Sequence, residues 1–257
     1  MKKVFFAIKI ITFVLALFII ITFIISLAHI KFNIVKELFY DSEFILALFF
    51  SIKTASLATL LAIIFGIPSG LFLSRSNSGI IKTIIDIIIY IPIVLPPLVV
   101  GMLLLTLFNI DFIKNFYQFV FTTSGAVIAQ FFIAFPLLVV ISRNSFDMVP
   151  KIYEMAAITL GKNEYKAFFD TTFKISLSNI FSGVILTWLR CMGEFGATIL
   201  VGGGIPNETE NIPIKIYSSV LNGDINKGVT ISFVLVFLAI ICITIVKFFS
   251  NKKKLHN

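Results

Sequence analysis

Six apolar runs, near residues 10–28, 54–73, 87–108, 124–142, 175–200 and 228–246, constrain this 257-residue chain more than any other feature. A helix needs about 20 apolar residues to cross a hydrocarbon layer about 30 Å thick, because every backbone N–H and C=O must be satisfied within the segment. Each run has that length, although Arg190 and Glu194 interrupt the fifth. The expectation is an all-α membrane protein with six transmembrane helices in a single domain spanning 1–257. Composition agrees: 58% of residues are hydrophobic and 13% charged, against about 45–50% and about 25% in soluble domains. A water-soluble fold is excluded. The net charge of +8 could suggest nucleic acid, but the basic residues sit beside apolar runs and act as topology markers. The lipid bilayer is the expected partner, and nucleic acid is not.

Six crossings place both termini on one side of the membrane. The termini and even-numbered loops carry fourteen Lys and Arg, among them Lys2, Lys3, Arg75, Arg143, Lys151 and Lys252 to Lys254. The other side carries five: Lys31, Lys36, Lys114, Lys215 and Lys227, with Lys53 at its edge. Both termini are therefore expected in the cytoplasm. The uncharged run 10–28 exceeds the about 7–15 residues of a signal-peptide core, so it reads as an uncleaved first helix despite the small residues at Ser26-Leu27-Ala28. Pro68 and Pro136 are ordinary membrane-helix prolines. Pro96-Pro97 removes two N–H donors within one turn, which predicts a broken third span lying against protein or a water-lined cavity.

Residues 143–174 form the only sizeable cytoplasmic segment, too short for an independent catalytic domain. Tyr153, Ala156, Ala157 and Leu160 recur at i, i+3, i+4 and i+7, the spacing of one helical face. Pro150 suits the first turn and Gly161 the C-terminal cap. From spacing alone this helix either docks a partner or lies on the membrane surface.

The stretch "EMAAITLG" followed by "TTFKISL" resembles the Glu-Ala-Ala loop of the membrane subunits of ABC importers. Ala156, Ala157 and Gly161 match that pattern, with Glu154 beside Met155 where the eponymous Glu is expected, and Lys174 where many members have Pro. "IPIVLPPLVVGMLLL" (91–105) and "GEFGATILVGGGIPNETENIPIKIY" (193–217) are similar to segments of molybdate importer permeases. The resemblance covers roughly residues 50–246. It implies the type I permease fold, a bacterial inner-membrane location and a homodimer. It further implies two ATPase subunits docked at Tyr153, Glu154, Ala156, Ala157, Leu160 and Gly161, and an extracytoplasmic oxyanion-binding protein. The implied cargo is molybdate, with tungstate as a further candidate and sulfate or thiosulfate as the alternative.

An intramembrane charge costs about 2.5–3.5 kcal/mol on insertion scales, so neither Arg190 nor Glu194 should face lipid. Their i, i+4 spacing allows a mutual ion pair; alternatively, Arg190 draws the dianion into a pathway while Glu194 is neutralised or turned away. Gly193 and Gly196 suit a hinge or close packing. Thr187 and Thr198 could donate to an oxyanion, although membrane threonines commonly bond back to their own helix. With Pro96, Pro97 and Gly101, these residues are the candidate pathway or gate.

No catalytic residue, metal or cofactor is expected. Cys191 and Cys242 lie in apolar runs, His29 and His256 lie outside them, and no phosphate-binding Gly-x-x-x-x-Gly-Lys-Ser/Thr occurs. ATP hydrolysis is thus expected on a separate subunit. An ion-coupled secondary carrier is the other transport class, but such proteins pair their broken helices, and the sequence displays one clear break.

Overall fold

The computed structural model describes residues 2–28, 30–76 and 79–254; for residues 2–4, 7, 32 and 248–254 only the backbone is described. The side chains of Lys2, Lys3 and Lys252 to Lys254, and the residues His29 and His256, lie outside the described residues.

Thirteen α-helices and one π-helix account for most of the described chain. In order they are α1 (Lys2–Leu27), α2 (Phe32–Leu38), α3 (Ser42–Arg75), α4 (Ile80–Val94), α5 (Pro97–Phe108), α6 (Asp111–Phe116), α7 (Thr123–Asp147), α8 (Ile152–Thr159) and α9 (Glu164–Phe168). The π-helix (Phe169–Phe173), α10 (Lys174–Met192), α11 (Gly196–Gly202), α12 (Ile212–Leu221) and α13 (Ile225–Lys254) follow. Five helical stretches are long and apolar enough to cross a membrane, and the bent pair α4 and α5 makes a sixth. Its first arm is tied to the C-terminal part of α7 where Asp86 meets Arg143, and its second arm ends where Phe108 stacks on Phe119 ahead of α7.

The centre is the packing of α3 on α7, made close by small residues. Ala55, Ala58 and Ala62 of α3 and Ala126, Ala129 and Ala134 of α7 are buried. At the crossing, a Cβ on Gly70 would lie 2.7 Å from Ser142 Cβ and 2.9 Å from the Val139 carbonyl oxygen. In a bilayer such small-residue contacts supply van der Waals packing that lipid cannot replace. A second core joins α5, α7 and α11 through Val100, Leu104, Phe108, Ile133, Ala197 and Val201. By contrast, α1 exposes Ile10, Phe13, Phe18 and Ile24, surface that water would penalise and acyl chains would not. Helices α3 and α7 continue through Pro68 and Pro136.

Side-chain caps fix where the helices begin. Asp41 accepts from the N–H of Glu43 and Phe44, Thr122 from Gly125, Asn163 from Lys166 and Asn211 from Ile214. Each satisfies a donor that the first turn leaves unpaired.

Three sequence expectations change in detail. The third span is broken at Leu95-Pro96 as its two imino acids require, with a bend of 113°, but its first arm starts at Ile80 instead of near residue 87. The fifth span, expected as one helix over 175–200, is interrupted at Gly193–Phe195 and continues at its other end through the π-helix into α9. Pro150 precedes α8 instead of entering its first turn, because Lys151 is the N-cap.

Candidate functional site

The two broken spans meet at their breaks. Pro96 caps α5 and Pro97 occupies its first turn. A Cβ on Gly196 would lie 3.0 Å from both Leu98 N and Pro97 Cβ, and one on Gly101 would lie 2.8 Å from Ala197 Cα. Gly196 and Gly101 thus let α11 and α5 touch backbone to backbone. Gly193 is different: it is exposed and closes α10, with only the Leu189 carbonyl nearby. The sequence showed no partner for the proline break; the structure supplies one.

Glu194 organises this junction. Its side chain is 1% exposed, and its two oxygens have separate partners: Oε2 accepts from Arg190 Nη1 at 2.8 Å and Oε1 from the Ala197 N–H at 3.0 Å. The second bond caps the first turn of α11, where a carboxylate also meets the positive end of the helix. Asn211 Nδ2 donates to the Glu194 carbonyl at 2.8 Å, tying the broken backbone to the start of α12. Arg190 keeps 40% of its side chain exposed. The carboxylate is therefore turned inward and the guanidinium outward.

The two candidate threonines are both buried. Thr187 donates back to the Gly183 carbonyl, and its hydroxyl is used within its own helix. Thr198 packs in the core with its Oγ1 unpartnered, as are both amide atoms of Gln130 on α7. Nothing in the residue pattern around Gln130 marks it as enclosed.

At the α8 end, the face read from sequence divides. Ala157 is buried, while Tyr153 (51% exposed), Ala156 and Leu160 (84% exposed) project outward with Ile152 and Met155. Gly161 terminates the helix at φ +88°, a left-handed conformation that glycine adopts without a Cβ penalty. Glu154 points back into the protein, where its Oε1 accepts from Arg75 Nη2 on α3 and from the Thr172 hydroxyl of the π-helix. Neighbouring ties are Arg143 to Asp86 at 2.8 Å and Ser74 to Asp147 at 2.5 Å.

At the opposite end, Lys215 of α12 lies 2.5 Å from Glu43 and 3.2 Å from Glu210, and Lys227 lies 2.8 Å from Asp41. Burial opposes the charge on Lys215, but the two carboxylates outweigh it and hold its pKa above the ordinary lysine value. Burial likewise pushes Asp41 up, yet Lys227 and the N–H groups of Phe44 and Glu43 hold its carboxyl below the usual range. Among the described residues, no cluster of His, Cys, Asp or Glu could hold a metal ion.

The model of the family described as "Binding-protein-dependent transport system inner membrane component" matches residues 62–251. The molybdenum transport system permease protein ModB of Escherichia coli K12 is 38% identical over 180 residues, covering 67% of this chain and 78% of that protein. ModB of Mycobacterium tuberculosis is 32% identical over 199 residues, 75% of each chain. Among solved structures, a bacterial alginate ABC transporter in complex with alginate pentasaccharide-bound periplasmic protein aligns with a TM-score of 0.68 at 17% identity, over 96% of this chain and 92% of that one. An amino acid ABC transporter aligns with a TM-score of 0.64 at 16% identity, over 87% and 100%.

Proposed function

Because the chain belongs to the family of binding-protein-dependent transport system inner membrane components, we propose that it is the permease subunit of an ATP-driven importer for molybdate, with tungstate as a second cargo. It is a multi-pass membrane protein with the type I ABC importer permease fold, and ATP hydrolysis belongs to a separate subunit. Two copies of the chain enclose the pathway, two ATPase subunits dock at α8, and an extracytoplasmic binding protein delivers the dianion at the α12 end. Both termini and α8 lie on the cytoplasmic side, where Lys and Arg are concentrated.

The observation that carries this reading is α8, which projects Tyr153, Ile152 and Leu160 from the end of the bundle. An apolar face displayed beyond the membrane-spanning helices suits burial against another protein. The pathway is assigned from Arg190. A guanidinium at membrane depth with 40% of its side chain exposed does not face hydrocarbon, so its open side faces the second copy and the dianion between them. Glu194, committed to Arg190 and to Ala197, leaves the anion little direct repulsion. Pro96, Pro97, Gly101, Gly193 and Gly196 form the jointed wall of this gate, while Thr187 and Thr198 serve packing.

Leu160→Glu tests the docking. The variant should insert into membranes normally and lose co-purification of the ATPase subunit, whereas undiminished co-purification would count against the assignment. Competition of molybdate uptake by tungstate but not by equimolar sulfate is the expected substrate pattern, and preferential competition by sulfate or thiosulfate would reassign the cargo.

A further inference from the structure

Building on that permease reading, we propose that Glu154 is the joint through which α8 moves the membrane-spanning helices, acting within the chain rather than on the ATPase surface. Oε1 of Glu154 gathers two donors from different spans, Arg75 Nη2 at the end of α3 and the Thr172 hydroxyl at the root of α10. Arg75 Nη2 also lies 3.3 Å from Thr172 Oγ1, so the three groups close a triangle. Thr172 is fully buried, and the Arg75 and Glu154 side chains are only about one quarter exposed.

The rest of α8 packs mainly on α9 and the π-helix. Glu154 is thus its charged, directional tie to α3 and to the fifth span together. Two features give this tie room to work. The π-helix is a locally widened turn of the kind that collects at functional sites. A cavity of about 730 Å³, lined by Arg75, Glu154, Tyr165, Phe168 and Phe169, opens beside the triangle, so the side chains are not locked in dense packing on that side. A displacement of α8 therefore acts on Arg75 and Thr172 at once. Through α10 it reaches the break at Gly193, where Arg190 and Glu194 sit. Tyr153 and Leu160, by contrast, belong to the outward face. Glu154 is a positioning residue for coupling, and the outward face makes the partner contact.

The test uses the complete importer, the full chain purified with its ATPase subunit, reconstituted in vesicles and supplied with binding protein, molybdate and ATP. Glu154→Gln should retain the ATPase subunit and hydrolyse ATP at close to the normal rate, while molybdate delivered per ATP falls about tenfold, within the usual range of coupling free energies. The exchange Glu154→Arg with Arg75→Glu should recover a substantial part of that ratio. Loss of ATPase co-purification in Glu154→Gln would overturn the proposal by making Glu154 a docking residue, and so would an unchanged delivery ratio. A second readout does not depend on transport. In the purified wild-type chain, proteolysis at Lys162 and Lys166 should be slow, and Glu154→Gln should accelerate it; equal rates would contradict the joint. If the wild-type complex itself fails to take up molybdate while this proteolytic difference persists, the permease reading fails and the joint stands.

Discussion

Replacing Arg190 by methionine isolates what holds the junction of the broken spans. Glu194 is 1% exposed and depends on Arg190 Nη1, 2.8 Å away, as its charged partner. Without the guanidinium, a carboxylate remains in the interior with the Ala197 N–H as its remaining described donor. Breaking a buried pair from one side costs about 3–5 kcal/mol. The 40% exposure of the Arg190 side chain screens the native attraction, which places the expected loss near the lower bound, about 3 kcal/mol. The double variant Arg190→Met with Glu194→Gln removes the charge while keeping an acceptor for Ala197, and should return to within about 1 kcal/mol of wild type. Reversible unfolding in mixed micelles can be followed by circular dichroism and by Trp188, the single tryptophan of the chain, which donates to Ser56 from the same helix as Arg190. A single variant within about 0.5 kcal/mol of wild type would show that Arg190 does not compensate the buried carboxylate, as would a double variant no more stable than the single.

Other outcomes follow from the same geometry. Gly101→Ala sets a Cβ 2.8 Å from Ala197 Cα; because backbone must shift, the loss should be about 1–3 kcal/mol in the same unfolding assay, and a neutral result would mean that α5 and α11 are not held together. Lys215→Met leaves Glu210 buried beside an apolar chain and should cost about 3 kcal/mol, measured by thermal unfolding at neutral pH. Since the folded pKa of Lys215 is raised, its contribution is complete below the ordinary lysine value and fades as pH rises through the higher folded value. Asp41 behaves oppositely: its depressed carboxyl stabilises above the ordinary aspartate range, and that contribution is lost as pH falls through the folded value. Asp41→Asn should therefore flatten the acid limb of a stability profile without changing the alkaline one. Gly161→Ala meets no atom within 4 Å yet must adopt φ +88°, so it should cost about 1–2 kcal/mol locally, seen as faster hydrogen exchange across α8.

Much of this architecture is legible in the residues. The apolar runs report the spans because hydrocarbon forces each helix to satisfy itself, and Pro96-Pro97 announces its break because no rotation restores a missing N–H. The Arg190 and Glu194 spacing likewise encodes their pair directly. The break at Gly193–Phe195 is less visible, because glycine permits a break without requiring one. What holds it is the capping bond that the Ala197 N–H donates to the Glu194 carboxylate, steadied by Asn211, which lies 17 residues further on. Glu154 illustrates the same limit. Helical periodicity puts it beside the α8 face, but its partner Arg75 is 79 residues distant, so its inward role exists only in the folded chain. The burial of Ala157 also removes it from the outward face drawn from spacing, because α8 packs on α9 and the π-helix.

Transport through this conduit depends on a separate ATPase. Molybdate uptake should be measured in vesicles containing this chain alone, and in vesicles containing the chain with its ATPase subunit and binding protein. Uptake is predicted only in the second case, with ATP present, and it should disappear when the nucleotide is withheld. Accumulation by the chain alone, powered by an ion gradient, would contradict the account outright.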